Sequence, residues 1–415
     1  MSQQNDPIVV ITGLGVIAPN GLGKRAFWKA LMQGHNGVVR ITRFDCEPFA
    51  SHVGGEVSDF EPNPKIPTEH LRSMDRSYQF GVTAALEAVE DAGLDFSKED
   101  TSRAGVYMGV AVAGVDRTEK EFHRFRTQGS QAIGSHIYEN WLPSACSGYI
   151  SLLFGLHGQS HVFSTGCTSS VDAIGAAVEA IRRGEEDIAI AGGTEAPLTP
   201  LTLNSFCAMR ALSTRNTDPS HASRPFDRDR DGFVLGEGAG VLVLESLAHA
   251  RARGANIYAS LAGYATTSNA FHMTAPEPTG EQSARAFRLA LADAQLSADT
   301  VDYICAHGSS TPLNEKVETR AIKKAFGARS HQIPVSSIKS MIGHTLGSAG
   351  ALQAVTCALA LNQGAVPPTI NYTVPDPDCD LDCVPNTARD VPIRVVATNT
   401  AGFSGKNTVT IMKRI

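Results

Sequence analysis

The sequence predicts a layered α/β fold built from two similar halves, and three observations carry that expectation. Short apolar runs alternate with helical patterns along the chain, the signature of a buried sheet covered by helices. That succession restarts near residue 250, which places an N-terminal half at 1–253 and a C-terminal half at 254–415. The segment 113–150 breaks the rhythm and reads as an inserted, mostly helical lobe of the first half. The chain has 415 residues, 42% hydrophobic and 19% charged, a composition ordinary for a globular protein with a large core.

The elements follow in order. "PIVVITGLGV" (7–16) reads as a buried strand closed by glycines, and "RAGVYMGVAV" (103–112), "SHVFSTG" (160–166), "DIAIAGGTEA" (187–196) and "GAGVLVLESL" (238–247) read similarly. Helical patterns at 80–92 and 170–183 lie between them. The second set of strands comprises "IYASLAGYAT" (257–266), "DYICAHG" (302–308), "IPVSSIK" (333–339), "IRVVATNTAGF" (393–403) and "TVTIMK" (408–413). Helices at 280–295, 315–327 and 347–362 separate these strands.

Charge and cysteine usage narrow the function. A net charge of −6 argues against nucleic acid as a partner, so attraction to an acidic partner would need a local basic patch. The eight cysteines are scattered, which suits a reducing cytoplasm better than secretion. Cys379 and Cys383 form a C-x3-C, but no second ligand pair follows at finger spacing, so no metal site is expected. The opening "MSQQNDPIVVITGLG" lacks a basic region followed by a long apolar stretch, and no run reaches the ~20 apolar residues of a membrane span. The expectation is a cytoplasmic protein.

Chemistry concentrates at three corners. In "VFSTGCTSSVDAIGAA" a strand-like run meets a tight turn, Cys167, and then helical spacing at Val171, Ile174, Val178 and Ile181. Cys167 thus stands where a strand turns into a helix, a position that exposes a nucleophile and where the helix end favours a thiolate. The residues alone equally admit a small packed core thiol. "YICAHGSSTPLNEKVET" places His307 just after a buried strand, and "SSIKSMIGHTLGSAGALQ" places His344 in a glycine-flanked turn before a helix. Either histidine alone reads as structural. Together with the cysteine they suit thioester chemistry: a thiolate that takes an acyl group and imidazole N–H groups that stabilise an enolate. Lys339, if buried, needs a charge partner, and Glu318 is the candidate; otherwise it is a surface lysine. Phe403, between glycines in "TAGFSGKN", offers a backbone N–H that could complete an oxyanion hole with that of Cys167, or it is a core aromatic at a turn.

These stretches resemble the β-ketoacyl synthase family of the thiolase fold along nearly the whole chain. They include "VVITGLGVIAPNG", "STGCTSS", "GGTEA", "ALSTRNTDPSHASRPFDRDRDGFVLGEGAGVLVLE", "HMTAPEP", "AHGSSTPLNEKVET", "SSIKSMIGHTLGSAGAL" and "AGFSGKN". The resemblance implies two βαβαβαββ halves in α-β-α-β-α layers. It implies that Cys167 accepts the acyl group and that His307 and His344 bind the malonyl thioester and promote decarboxylation. Lys339, paired with Glu318, would hold the histidine network. Phe403 would be the gate between the acyl pocket and the malonyl site, with Phe206 beside it and Thr311 and Gly402 in contact with substrate. Arg72 and Arg210 match basic positions of a carrier-docking patch, or are solvated surface charge. No metal or redox cofactor is implied, since substrates arrive on the phosphopantetheine of an acyl carrier protein.

Within the family, "FSTGCTSSVDAIG" and the short stretch from Pro143 to Cys167 resemble the ketosynthase alpha subunit of type II polyketide synthases. Its expected partner is a chain length factor, a sister chain lacking the active cysteine. "RALSTRN" and "LGSAGAL" resemble instead the synthase II of fatty-acid elongation, a homodimer, and "AGFSGKN" departs from the usual "GFGG" of both. A non-catalytic chain length factor is disfavoured by Cys167. A degradative thiolase is disfavoured because the "GFSG" corner carries no second cysteine.

Overall fold

The computed structural model describes residues 7–112 and 114–415; residues 1–6 and position 113, where the expected lobe begins, lie outside the described residues. The main sheet has eleven strands among the described residues: ten lie side by side along it, and the two-residue strand Gly21–Leu22 pairs with the first of them off that path. The first five are β1 (Val9–Ala18), β2 (Ala104–Gly109), β3 (Ser160–Phe163), β4 (Ile188–Glu195) and β5 (Gly238–Ser246). The other five are β6 (Ala259–Ser268), β7 (Tyr303–Cys305), β8 (Val335–Ser336), β9 (Val395–Gly402) and β10 (Lys406–Lys413). Their spatial order is β8-β7-β9-β10-β6-β1-β5-β4-β2-β3, which reads the same from the centre outward in both directions. In each half the outer pairs are parallel and the inner pairs antiparallel. The halves join where β1 runs antiparallel to β6, with Val10 opposite Ser260.

The repeat extends to irregularities. The register slips between Ile11 and Gly13 on β1 and between Leu261 and Gly263 on β6. Both glycines lie under a helix. A Cβ on Gly13 would sit 2.1 Å from the Ala88 carbonyl oxygen of α1 (Arg76–Ala92). A second, α2 (Ser169–Arg182), follows the Cys167 turn. A Cβ on Gly263 would sit 2.2 Å from the Ala290 carbonyl oxygen of α3 (Glu281–Asp293). The second half continues with α4 (Asn314–Phe326) and α5 (Ala349–Gln363).

Three apolar clusters fill the spaces between these layers. One lies beneath α1, with Phe80, Ala84 and Ala88 against Val106, Ile190 and Val243. One lies beneath α3 and α4, with Phe287, Ile322 and Phe326 against Ile304 and Val335. The largest joins Ile174 and Val178 of α2 to Leu352 and Val355 of α5, with residues of both sheet halves on either side. The result is the α-β-α-β-α order of the thiolase fold. Helices α2 and α5 read as more apolar than surface helices because they are buried on nearly every side.

Strand ends are where the structure departs from the expected boundaries. Strands expected at 302–308 and 333–339 end at Cys305 and Ser336, and the one expected at 160–166 ends at Phe163. In each case the chain leaves the ladder early to turn, and those turns carry His307, Lys339 and Cys167. Between β2 and β3 lie the helices Val115–Gln128, Ile137–Trp141 and Ala145–Phe154. Among the described residues no helix is long and apolar enough to cross a membrane.

Candidate active site

The three chemical corners meet at one cavity of about 430 Å³, whose walls include Cys167, His307, His344, Leu346, Asn399 and Phe403. Parallel strands of both halves end here, and the turns after them face each other across the central helices. Cys167 lies in a single turn of 3-10 helix, Gly166–Thr168, immediately before α2. Gly166 takes φ 70°, so the chain reverses sharply at the strand end. The turn is tied from below: Ser169 Oγ donates to the Gly166 carbonyl at 2.6 Å, and Thr168 Oγ1 donates to Asp172 at 3.0 Å. Asp172 also accepts from Tyr264 OH at 2.8 Å, which links the Cys167 turn to the second half.

One expectation is corrected here. The helix start was expected to lower the Cys167 pKa, yet burial pushes this thiol up to about 11. The nearby Lys339 charge and the backbone N–H groups of Phe403 and Cys167 oppose the rise without cancelling it. Cys167 is only 8% exposed, and a fully desolvated thiolate costs more than one helix end returns. Those two N–H groups nonetheless bracket the sulfur as an oxyanion hole would.

His307 and His344 stack edge to face with ring centroids 5.2 Å apart. Both are buried, and desolvation with the positive charge of Lys339 holds both well below the ordinary 6.5, so both rings are neutral. His344 Nδ1 accepts the Leu346 N–H at 3.1 Å, which leaves its proton on Nε2. His307 Nδ1 is buried without a partner among the described residues, a polar atom that a substrate group could satisfy.

Lys339 is 2% exposed and donates to the His307 carbonyl at 2.6 Å. The expected pair with Glu318 takes a different form: the two make no ion pair within 4.0 Å among the described residues. Glu318 instead accepts the N–H groups of His307 at 2.7 Å and Gly308 at 2.8 Å. Cation and carboxylate therefore grip opposite sides of the same short stretch of backbone. The reason is geometric, since Lys339 reaches the carbonyl side of a turn whose N–H groups face α4. Asn399 completes the arrangement by donating to Glu318 at 2.6 Å. Sequence reasoning missed Asn399 and Asp172. A polar residue at the inner end of a buried strand, and an acid one turn into an apolar helix, were the available signals.

Phe403 faces the cavity, and Phe206 lies beside it with ring centroids 6.3 Å apart. A Cβ on Gly402 would come within 3.3 Å of the Cys167 nitrogen, so this strand end passes close to the Cys167 turn. Ser404, where glycine is usual, adopts φ 62°, a conformation that costs a non-glycine residue roughly 1–2 kcal/mol. Its N–H donates to the Met273 carbonyl at 2.6 Å, which fastens the Phe403 turn to the 273–277 segment, whose Thr274, Ala275, Pro276 and Glu277 line the cavity. Thr311 lines the cavity, its hydroxyl 3.0 Å from that of Ser309. Arg210 is exposed at the cavity rim, whereas Arg72 is exposed on the short helix Thr68–Ser73 and is not among the cavity walls. Cys379 and Cys383 are buried thiols, and no group of three or more His, Cys, Asp or Glu among the described residues could hold a metal ion.

Comparison with known proteins agrees with this geometry. Residues 6–250 match the beta-ketoacyl synthase N-terminal domain and residues 258–373 match the C-terminal domain of the same family. The chain is 44% identical to the tetracenomycin polyketide synthase ketoacyl synthase alpha subunit of Streptomyces glaucescens, over 100% of this chain and 99% of that protein. It is 42% identical to a 3-oxoacyl-[acyl-carrier-protein] synthase 2 of Staphylococcus aureus, covering 98% of each. Among solved structures, a type II polyketide ketosynthase in complex with its acyl carrier protein and bound to a hexaketide superposes with TM-score 0.92 at 40% identity. That match covers 99% of this chain and 100% of the other. The ishigamide ketosynthase/chain length factor superposes with TM-score 0.92 at 36% identity, over the same shares. With both family domains in sequence and the thiolase fold around a cysteine and two neutral histidines, the chain belongs to the β-ketoacyl synthase family of condensing acyltransferases.

Proposed function

We propose that this condensing enzyme is the catalytic ketosynthase subunit of a type II polyketide synthase, extending a poly-β-keto chain. The observation that carries the chemistry is the convergence of Cys167, His307, His344 and Phe403 on one cavity with both imidazoles neutral. Cys167 attacks an acyl thioester on a carrier-protein phosphopantetheine, and its proton leaves with the departing pantetheine thiol. A malonyl carrier thioester then loses carbon dioxide. The electron pair of the broken bond moves toward the thioester oxygen, where N–H groups of His307 and His344 receive it. Imidazolium rings would hold substrate carboxylate in place, so neutral rings favour its loss. The enolate carbon attacks the acyl-Cys167 carbonyl, whose oxyanion meets the N–H groups of Cys167 and Phe403. Collapse releases the β-ketoacyl carrier, and the Cys167 thiolate takes a proton from solvent. Carbon dioxide loss supplies the carbanion, so no metal or redox cofactor enters.

Partners follow from the same reading. The exposed guanidinium of Arg210 at the rim, with Arg72 further out, would meet an acidic carrier protein. The helices between β2 and β3 expose Phe122, Tyr138 and Trp141 at 62–65%, and β3 is a sheet edge, as a chain that works beside a sister subunit requires. A homodimeric fatty-acid elongation synthase is the second reading, favoured by the 42% identity to the staphylococcal enzyme.

Three outcomes are expected. Purified chain with malonyl-loaded and acyl-loaded carrier, without reductase, is silent alone and yields a ladder of poly-β-keto masses with a chain length factor. A single two-carbon extension by the chain alone would overturn the polyketide reading. Cys167→Ala forms no acyl-enzyme, whereas His307→Ala and His344→Ala still acylate and lose about 10²–10³-fold in malonyl decarboxylation; loss of acylation with normal decarboxylation would reverse those roles. Glu at both Arg72 and Arg210 raises KM for carrier-bound substrate and spares small thioester mimics, read by steady-state kinetics. Equal loss with both substrates contradicts docking.

A further inference from the structure

His344 owes its tautomer to a single backbone N–H, that of Leu346, two residues along the chain. To present that N–H the chain folds back tightly, with Leu346 at φ 44°, a region that leucine rarely enters. Such a turn persists only where its surroundings over-determine it. The next residue shows what does so. Gly347 N–H donates to Glu195 Oε2 at 3.0 Å. The same carboxylate accepts the N–H groups of Ala111 at 2.6 Å and Val112 at 3.1 Å.

Glu195 is the last residue of β4, paired with Gly238 of β5, and is entirely buried. No cation pairs with it among the described residues; three backbone donors favour its carboxylate, while burial still pushes its pKa up to about 7. The fit leaves no slack, because a Cβ on Gly347 would lie 2.6 Å from both Glu195 Oε2 and the Ala111 nitrogen. The loop it grips on the other side also serves the nucleophile. Val110 carbonyl accepts Ser169 Oγ at 3.1 Å, and Ala111 and Val112 pack in the apolar cluster that contains Cys167.

We propose that Glu195 is a positioning residue for His344: its carboxylate clamps the Leu346–Gly347 turn against the Ala111–Val112 loop and thereby keeps the His344 proton on Nε2. The inference rests on the reading of His344 as an enolate-stabilising donor. Glutamine at 195 keeps the size and one acceptor but turns an NH₂ toward a backbone N–H, so the clamp opens on one side.

The test is ¹⁵N NMR of histidine-labelled full-length chain, with His344 assigned by its absence in His344→Ala. Wild type shows the Nε2–H tautomer. Glu195→Gln shows mixed tautomers, loses about tenfold or more in malonyl decarboxylation, and keeps Cys167 alkylation by iodoacetamide at least as fast. A folded Glu195→Gln with unchanged tautomer and decarboxylation within about twofold of wild type overturns the proposal, as does an Nδ1–H tautomer in wild type. Should Glu195→Gln not fold, Gly347→Ala, which drives a methyl between the turn and the carboxylate, is expected to show the same spectrum change. An unchanged spectrum there overturns the clamp. Normal decarboxylation by His344→Ala would refute the role of His344 itself, a failure distinct from that of the clamp because the tautomer is read without turnover.

Discussion

A buried lysine organises this site. Lys339 is almost wholly shielded from water, and its ammonium group donates to the carbonyl oxygen of His307. Such a charge is expensive in a low-dielectric interior unless carboxylates and dipoles answer it. Here Glu318 answers from the other side of the same backbone, through the N–H groups of His307 and Gly308. The arrangement has two effects at once. It fixes where the His307 ring emerges from the end of β7, and it sets a positive field that disfavours a proton on either imidazole.

Neutral histidines and a hard-to-ionise thiol suit the two half-reactions differently. Burial that pushes the Cys167 thiol up to about 11 disfavours the free thiolate in the resting site. In the proposed reaction the thiol becomes a nucleophile when an acyl thioester enters the bracket formed by the N–H groups of Cys167 and Phe403. Neutral imidazoles offer N–H donors for an enolate oxygen without trapping the carboxylate that must leave. In the proposed mechanism one cavity serves both steps because each donor group is aimed where charge develops and carries little before that.

Much of this was legible in the residues. The ten strand runs and the restart near residue 250 reflect an internal repeat that the sheet reproduces, down to matching bulges at Gly13 and Gly263. Cys167, His307 and His344 stood out because each interrupts a strand-to-helix turn with a side chain that such turns do not need. What stayed hidden depends on distance in three dimensions. The cost of burying Lys339 called for a charge partner, with Glu318 the candidate; the two attract each other, but they meet across one peptide segment rather than in a hydrogen-bonded ion pair. Helix position suggested a lowered cysteine pKa, but burial depth is a property of the packed chain and outweighs it. Asn399 and Asp172 gave only the signal of a polar residue in a buried element, which acquires meaning from the neighbour it satisfies.

The claim on which the rest turns is that both imidazoles are neutral because of burial and the Lys339 charge. A pH titration of the histidine ¹⁵N resonances, with His307 and His344 assigned by substitution, measures it directly. Neither ring should take up a proton as the pH falls through 6.5, the ordinary histidine value, while exposed histidines of the same chain do. Protonation of either ring near 6.5 would contradict the account.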